Sequence, residues 1–338
     1  MTLFYRAVVC CLLYSGCASY ATVVALVETE PVTSKDDAAD DPAIWVHPQD
    51  VARSLIFATD KRRGVEVYSL DGERIQSIRV GRVNNIDIRQ NVEWGDKRVD
   101  LAVATNRSTN SLTVLFIEEE SGQAVVSEDD SIPLDLETPY GICLYKPIGD
   151  STLYAFVNDK DGRYEQWHLA TPRASRRVAT FRTDSQPEGC VADDEQGVLY
   201  YGVEESGFYR REIVEGLTSE PVLIEGVEDG HLVADVEGIA LYKTGDVAGF
   251  VIVSSQGNNS YVVFRREGAN ELVGSFRITS DSSIDGTSET DGIEATHLVT
   301  SVRFPKGLFI AQDGANTQPV ANQNFKLVSW ADIERAIQ

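Results

Sequence analysis

Short apolar runs broken by polar turns recur along the whole chain, and few stretches carry the spacing of an amphipathic helix. Six segments stack on one another: Asp41-Pro42-Ala43-Ile44-Trp45, Asn85-Ile86-Asp87-Ile88, Tyr140-Gly141-Ile142-Cys143-Leu144, Glu188-Gly189-Cys190-Val191, Glu237-Gly238-Ile239-Ala240-Leu241 and Asp291-Gly292-Ile293-Glu294. With Pro42, Ile86, Gly141, Gly189, Gly238 and Gly292 as markers, the steps are 44, 55, 48, 49 and 54 residues. Each marker is followed by a mostly apolar run, such as Leu55-Ile56-Phe57-Ala58 or Phe250-Val251-Ile252-Val253, and in most repeats by two further strand-like runs. Four strands at a period near 50 residues predict an all-β fold, a six-bladed β-propeller of four-stranded antiparallel blades. The sixth repeat runs out at Phe325-Lys326-Leu327-Val328 and a short terminal helix around Ala331-Arg335. Val23-Val24-Ala25-Leu26-Val27 has no repeat of its own, so this N-terminal strand is expected to close the ring and cover its edge.

The first residues read as an address. Arg6 precedes the apolar run Ala7 to Tyr14, too short to span a bilayer, and small residues follow through Ser19. We expect residues 1–21 to be a signal peptide cut after Ala21, and residues 22–338 to be one propeller domain, exported to the periplasm or secreted. The stretch Leu13-Tyr14-Ser15-Gly16-Cys17 offers lipid anchoring at Cys17 as the alternative. No transmembrane segment is expected. Removal of residues 1–21 leaves Cys143 and Cys190. They lie two and one residues beyond their marker glycines, so alternation points them to opposite blade faces, and the expectation is two buried free thiols rather than a bridge.

Charge narrows the partners. Thirty Lys and Arg against 53 Asp and Glu give a net charge of −23, which disfavours nucleic acid. Propeller topology gathers that charge, because the start of each first strand and the loop after each second strand open on the same face. Strand-one starts carry Asp40, Asp41, Asn84, Asn85, Tyr140, Glu188, Asp235, Glu237, Asp285 and Asp291. The matching loops carry Lys61, Arg107 and Lys160 in repeats one to three, and Glu204, Gln256 and Asp313 in repeats four to six. Capping of turns accounts for any single acid, and solvation for any single lysine. The pattern over six repeats points instead to cations among the carboxylates, and hard oxygen donors at irregular positions favour Ca²⁺. An acidic arc facing a cationic arc suits a polyanion such as a phosphate ester. The four histidines are scattered, and no nucleophile elbow, His-Glu-x-x-His helix or Walker A loop is present, so phosphoryl transfer would use metal-activated water.

These residues give the chain a resemblance to the β-propeller phytases, the alkaline, calcium-dependent 3-phytases. The likeness runs from about Glu28 to the terminal helix, through Asp36-Asp37-Ala38-Ala39-Asp40-Asp41-Pro42-Ala43-Ile44-Trp45, Asn84-Asn85-Ile86-Asp87-Ile88-Arg89, Asn106-Arg107-Ser108 and Ser185-Gln186-Pro187-Glu188-Gly189. It continues through Asp235-Val236-Glu237-Gly238, Ser254-Ser255-Gln256-Gly257-Asn258, Asp285-Gly286-Thr287-Ser288-Glu289-Thr290-Asp291-Gly292, Ala311-Gln312-Asp313-Gly314 and Asn322-Gln323-Asn324-Phe325-Lys326. The resemblance implies a monomer that hydrolyses phytate, myo-inositol hexakisphosphate presented with calcium, to lower inositol phosphates and orthophosphate by attack of a calcium-bridged water. It also implies several calcium ions, structural and catalytic. Carried over, Lys61, Arg107, Lys160 and Tyr140 contact phosphate, while Asp40, Glu188, Glu204, Asp235, Glu237 and Asp291, with Gln256 beside them, hold the calcium that serves substrate and water. Asp41 with the carbonyls of Pro42 and Ile86, and separately Asp285 with the Asp313 loop, would hold structural calcium. Pro187 stands where the family commonly has Thr, Ile86 replaces a common Val, and Asp159 adds an acid before Lys160, which weakens local attraction for phosphate. Two other readings compete: a calcium-dependent lactonase or arylesterase propeller, and a non-catalytic, calcium-stabilised binding propeller.

Overall fold

In the computed structural model, which describes residues 20–127 and 131–338, the strands form six sheets in a ring. Blade one is built from Ala39–Trp45, Leu55–Asp60, Gly64–Ser69 and Arg74–Arg79. Blade two is Val83–Trp94, Lys97–Asn106, Ser111–Ile117 and Ala124–Val126, with Ile132–Pro133 also on its third strand. Blade three is Pro139–Tyr145, Leu153–Asp159, Arg163–Leu169 and Arg176–Arg182. Blade four is Pro187–Asp193, Val198–Val203 and Gly207–Val214, with Leu217–Thr218 and Val222–Gly226 sharing its outer position. Blade five is Val236–Lys243, Gly249–Ser255, Ser260–Arg265 and Leu272–Ile278; blade six is Ile293–Thr296, Leu308–Asp313 and Asn324–Ser329. The helix Trp330–Ile337 follows.

The N-terminal segment divides between two blades. Val27–Glu28 pairs antiparallel with Leu327 and Lys326 as the outer strand of blade six, closing the ring as the sequence led us to expect. Ala21–Val23, however, runs parallel to Phe276–Ile278 as a fifth strand of blade five. Both pairings cover edges that would otherwise present unpaired backbone groups. Residues 1–19, most of the expected signal peptide and Cys17 with it, lie outside the described residues.

Neighbouring blades pack face to face, so each seam has its own apolar cluster. Phe57, Ala102 and Leu115 fill the seam between blades one and two, and Tyr200, Val251 and Phe264 that between four and five. Second strands are buried on both faces, which explains their near-continuous apolar runs.

The seams also correct our reading of the cysteines. Cys143 and Cys190 form a disulfide, with Cα atoms 5.7 Å apart. They do point to opposite blade faces, but in a ring of face-packed blades the forward face of blade three meets the rear face of blade four. Opposite parity brings the two thiols together in one cluster, with Phe156, Tyr164 and Tyr201 around them.

Candidate functional site

One irregularity, repeated around the ring, builds the site. The first strands of blades one to five each break register at the same level, between Ala39 and Pro42, Val83 and Ile86, Pro139 and Ile142, Pro187 and Cys190, and Val236 and Ile239. Those breaks contain Asp40 and Asp41, Asn84 and Asn85, Tyr140, Glu188 and Glu237. A bulge re-aims side chains that simple alternation would send into a seam. The marker glycines make room for the neighbouring strand: a Cβ on Gly141 would lie 2.0 Å from the Glu188 carbonyl oxygen, and one on Gly292 2.5 Å from that of Asp40.

Two adjoining cavities open at this end of the channel. The larger, about 320 Å³, is lined by Glu188, Glu204, Asp235, Glu237, Gln256 and Asp291, with Lys61 and Tyr140 at its side. The smaller, about 200 Å³, is lined by Arg107, Lys160, Arg62, Arg82 and Asn84, and shares Lys61, Tyr140 and Asp37 with the first. Eleven residues singled out in the sequence, the three cations, Tyr140, Asn84, which donates to Glu188 at 2.9 Å, and six on the acidic side, thus meet at one mouth. Asp40 lies buried beneath them, its carboxylate 3.7 Å from the Lys61 ammonium.

Electrostatics in the mouth are strained. Glu188, Glu204 and Glu237 each offer a carboxylate oxygen, all within 4.8 Å of one another. Burial, with Glu188 beside it, raises the Glu204 carboxyl to about 7, and burial with the same neighbour pushes Glu237 well up. Asp291 rises to about 6, mainly through burial, although Lys61 at 2.9 Å holds it down. Burial works against the charge on Lys61, but Asp40, Asp291 and Glu188 more than offset it and hold its ammonium on. The Tyr140 hydroxyl is kept protonated by burial and by Glu188, and the Lys160 ammonium sits 4.0 Å from the centre of its ring.

The donor set fits a divalent cation. Both oxygens of the Asp40 carboxylate and Oε2 of Glu237 are buried without a hydrogen-bond partner, a costly state for anions in a dry site. Oxygen donors alone, irregularly arranged and partly exposed, match calcium better than zinc or copper.

Five expected ligands lie elsewhere. Asp41 points away from both cavities and accepts the Ile86 amide at 3.0 Å; burial, with Glu294 and Asp87 near, raises its carboxyl. Pro42 and Ile86 belong to the inner strands beside it and line neither mouth cavity. Asp285 and Asp313 surround the fully buried Lys326, whose ammonium contacts Asp285, Glu28 at 2.6 Å and Asp313 at 3.6 Å. A lysine therefore already balances part of that cluster's charge. Burial raises the Asp313 carboxyl to about 6 even so.

Other mouth residues escaped the sequence reading. Asp37 reaches Lys61 at 2.6 Å. Arg62, Arg82, Gln186, Glu289 and Gln323 also line the cavities. Of these, Arg62 adjoins Lys61, and Gln186 and Glu289 stand three residues before the markers Gly189 and Gly292, which was the available signal. A wider cavity of about 630 Å³ opens at the far end, but its cations are engaged: Arg89 with Asp87 and Asp194, Lys243 with Glu195, Lys146 with two backbone carbonyls.

A six-bladed propeller whose mouth sets clustered carboxylates against lysine and arginine defines a class of protein built for anionic ligands. A family model described as Phytase matches residues 5–338, and the chain is 38% identical over 321 residues to the 3-phytase of Bacillus subtilis (strain 168), covering 92% of this chain and 84% of that protein. The chain belongs to the phytase family, a class of phosphoric monoester hydrolases. Solved structures resemble it more distantly: a functionally unknown protein from Desulfotomaculum acetoxidans DSM 771 at a TM-score of 0.48 and 15% identity, over 69% of this chain and 70% of that one, and a chain of a nidogen/laminin complex at 0.49 and 15%, over 77% and 84%. Neither bears on function.

Proposed function

We propose that the protein is a calcium-dependent 3-phytase, in which the two adjoining cavities hold neighbouring phosphates of one myo-inositol hexakisphosphate. The observation that carries this reading is the pairing itself: an acidic cavity with orphaned buried carboxylate oxygens opens into a cationic one, and Lys61 and Tyr140 border both.

Calcium held by Glu188, Glu204 and Glu237, with Asp40, Asp235, Gln256 and Asp291 around them, would neutralise phosphate oxygens and make water a better nucleophile. Asp41 with Pro42 and Ile86 remains a proposed structural site, as does Asp285 with Asp313, where Lys326 must share its ligands. Arg107 presents a planar donor fork to the phosphoryl oxygens, and Lys61 adds a point charge at the junction of the cavities. Lys160, stacked on Tyr140, faces the second phosphate. Water attacks phosphorus in line, the bond from phosphorus to the inositol oxygen breaks, and the departing alkoxide takes up a proton. No histidine or cysteine lines the mouth among the described residues, so no covalent phosphoenzyme is invoked.

The disulfide agrees with an oxidising compartment, and with residues 1–21 acting as an export signal before a propeller domain of 22–338 that works as a monomer in the periplasm or outside the cell. No helix among the described residues is long and apolar enough to cross a membrane. Phosphate release from phytate and hydrolysis of a lactone and an aryl ester, each in calcium and in chelator, test the reading. Calcium-dependent phosphate release lost in Arg107→Glu is expected. Release that needs no calcium would overturn the calcium role, and ester hydrolysis without phosphate release would point to the lactonase alternative.

A further inference from the structure

The mouth is divided by the seam between blades three and four. Before it, on blades one to three, stand Lys61, Arg107, Lys160 and Tyr140; beyond it stand Glu188, Glu204 and Glu237. A ligand that touches both groups depends on the width of that seam.

Like the two–three seam, where the Asn85 amide donates to Thr105 Oγ1 at 3.2 Å and that hydroxyl to the Tyr140 carbonyl at 2.6 Å, this seam is bridged by a side chain, unlike two others in the ring. Between blades five and six the marker amide of Gly238 donates to the Asp291 carbonyl at 2.7 Å, and between six and one Gly292 donates to Asp40 at 3.1 Å. At the three–four seam the Gly141 amide instead meets the side chain of Asn158, donating to its Oδ1 at 2.8 Å, and the Asn158 amide donates onward to the Glu188 carbonyl at 2.9 Å. Below this bridge lies Cys143–Cys190, the one disulfide among the described residues. Cys143 is three residues from Tyr140 on the same strand, and Cys190 two from Glu188, so the covalent tie sits roughly 7–10 Å beneath both side chains.

We propose that the Cys143–Cys190 disulfide is a positioning device, fixing the Tyr140–Lys160 wall against the Glu188 cluster so that one polyanion engages both. The inference rests on the phytase reading and goes beyond it. Its consequence is selective. The three clustered glutamates belong to blades four and five alone, so their capture of calcium is independent of the tie. Binding of a ligand that spans the seam is not.

The test compares the full chain with Cys143→Ala/Cys190→Ala, and with Cys143→Val/Cys190→Ala, which keeps more of the buried volume should the first fold poorly. Phe276→Leu, in the distant seam between blades five and six, serves as a control for lost stability. Calorimetry measures calcium alone and then myo-inositol hexasulfate in calcium; kinetics measure KM and kcat on phytate well below the unfolding midpoint. We expect both double variants to bind calcium within about twofold of wild type, and hexasulfate affinity to fall and phytate KM to rise about tenfold, since misplacement of a full ångström can cost about a hundredfold. The control should lose stability and keep both constants. Double variants that melt earlier with hexasulfate affinity and KM unchanged would show that the disulfide only stabilises. A wild type that releases no phosphate from phytate would remove the phytase reading itself, a result separable from failure of the variants alone.

Discussion

Replacing Asp40 by Asn should stabilise the protein without calcium and weaken it with calcium. Asp40 is fully buried, neither carboxylate oxygen has a hydrogen-bond partner, and burial together with Glu188, Asp291 and Asp41 drives its carboxyl well up despite Lys61. A buried polar group left unsatisfied costs about 1–3 kcal/mol, more when charged. Asn removes the charge and turns one oxygen into a donor beside acidic neighbours, so relief of about 1–3 kcal/mol is a fair expectation in chelator. For a chain of 338 residues, near 2 cal/mol/K of unfolding entropy per residue converts that to about 1.5–4.5 °C in midpoint. Calcium reverses the order. Wild type gains about 2.7 kcal/mol per site at a hundredfold excess over Kd, and the variant forgoes much of it. Thermal unfolding followed by near-ultraviolet circular dichroism, with EGTA and with millimolar calcium, reads both arms. A midpoint that falls equally in both conditions would refute the reasoning, because Asp40 would then be an ordinary core residue.

Two further outcomes follow from the same electrostatics. Glu204 and Asp291 are raised to about 7 and about 6 in the fold, so between about pH 4 and 7 the folded state holds more protons than the unfolded chain. Stability in EGTA should therefore fall as pH rises from 5.5 to 8, while calcium abolishes or reverses the trend; a midpoint in EGTA that climbs with pH contradicts this. Lys326→Met should cost about 3–5 kcal/mol by leaving Glu28, Asp285 and Asp313 uncompensated. Added calcium should recover part of that loss if Asp285 and Asp313 also take a structural ion, and an equal loss at all calcium levels would assign the cluster to the lysine alone.

The ring was legible because its requirements repeat. Gly141, Gly189, Gly238 and Gly292 each abut a backbone carbonyl of the next blade, a contact no side chain would permit, so glycine recurs beside the site residues Tyr140, Glu188, Glu237 and Asp291. Features that depend on how blades face one another were harder to read. Alternation placed Cys143 and Cys190 correctly on opposite faces, yet only the ring geometry shows that those faces touch. The parallel pairing of Ala21–Val23 leaves no signature, since an edge strand of three residues looks like any short apolar run. Lys326 also read as an ordinary strand residue, because its acidic partners come from Glu28 and Asp285, distant in sequence. Asp37 lies in a turn rich in acids, where solvation is the ordinary explanation, and only its contact with Lys61 sets it apart.

The most direct measurement is a crystal structure grown with calcium and myo-inositol hexasulfate, with the ions located by anomalous scattering. We predict calcium among Glu188, Glu204 and Glu237, and sulfates that reach Arg107 and Lys160 across Lys61 and Tyr140. Ions confined to the far end of the channel, or a ligand bound without calcium, would contradict the account.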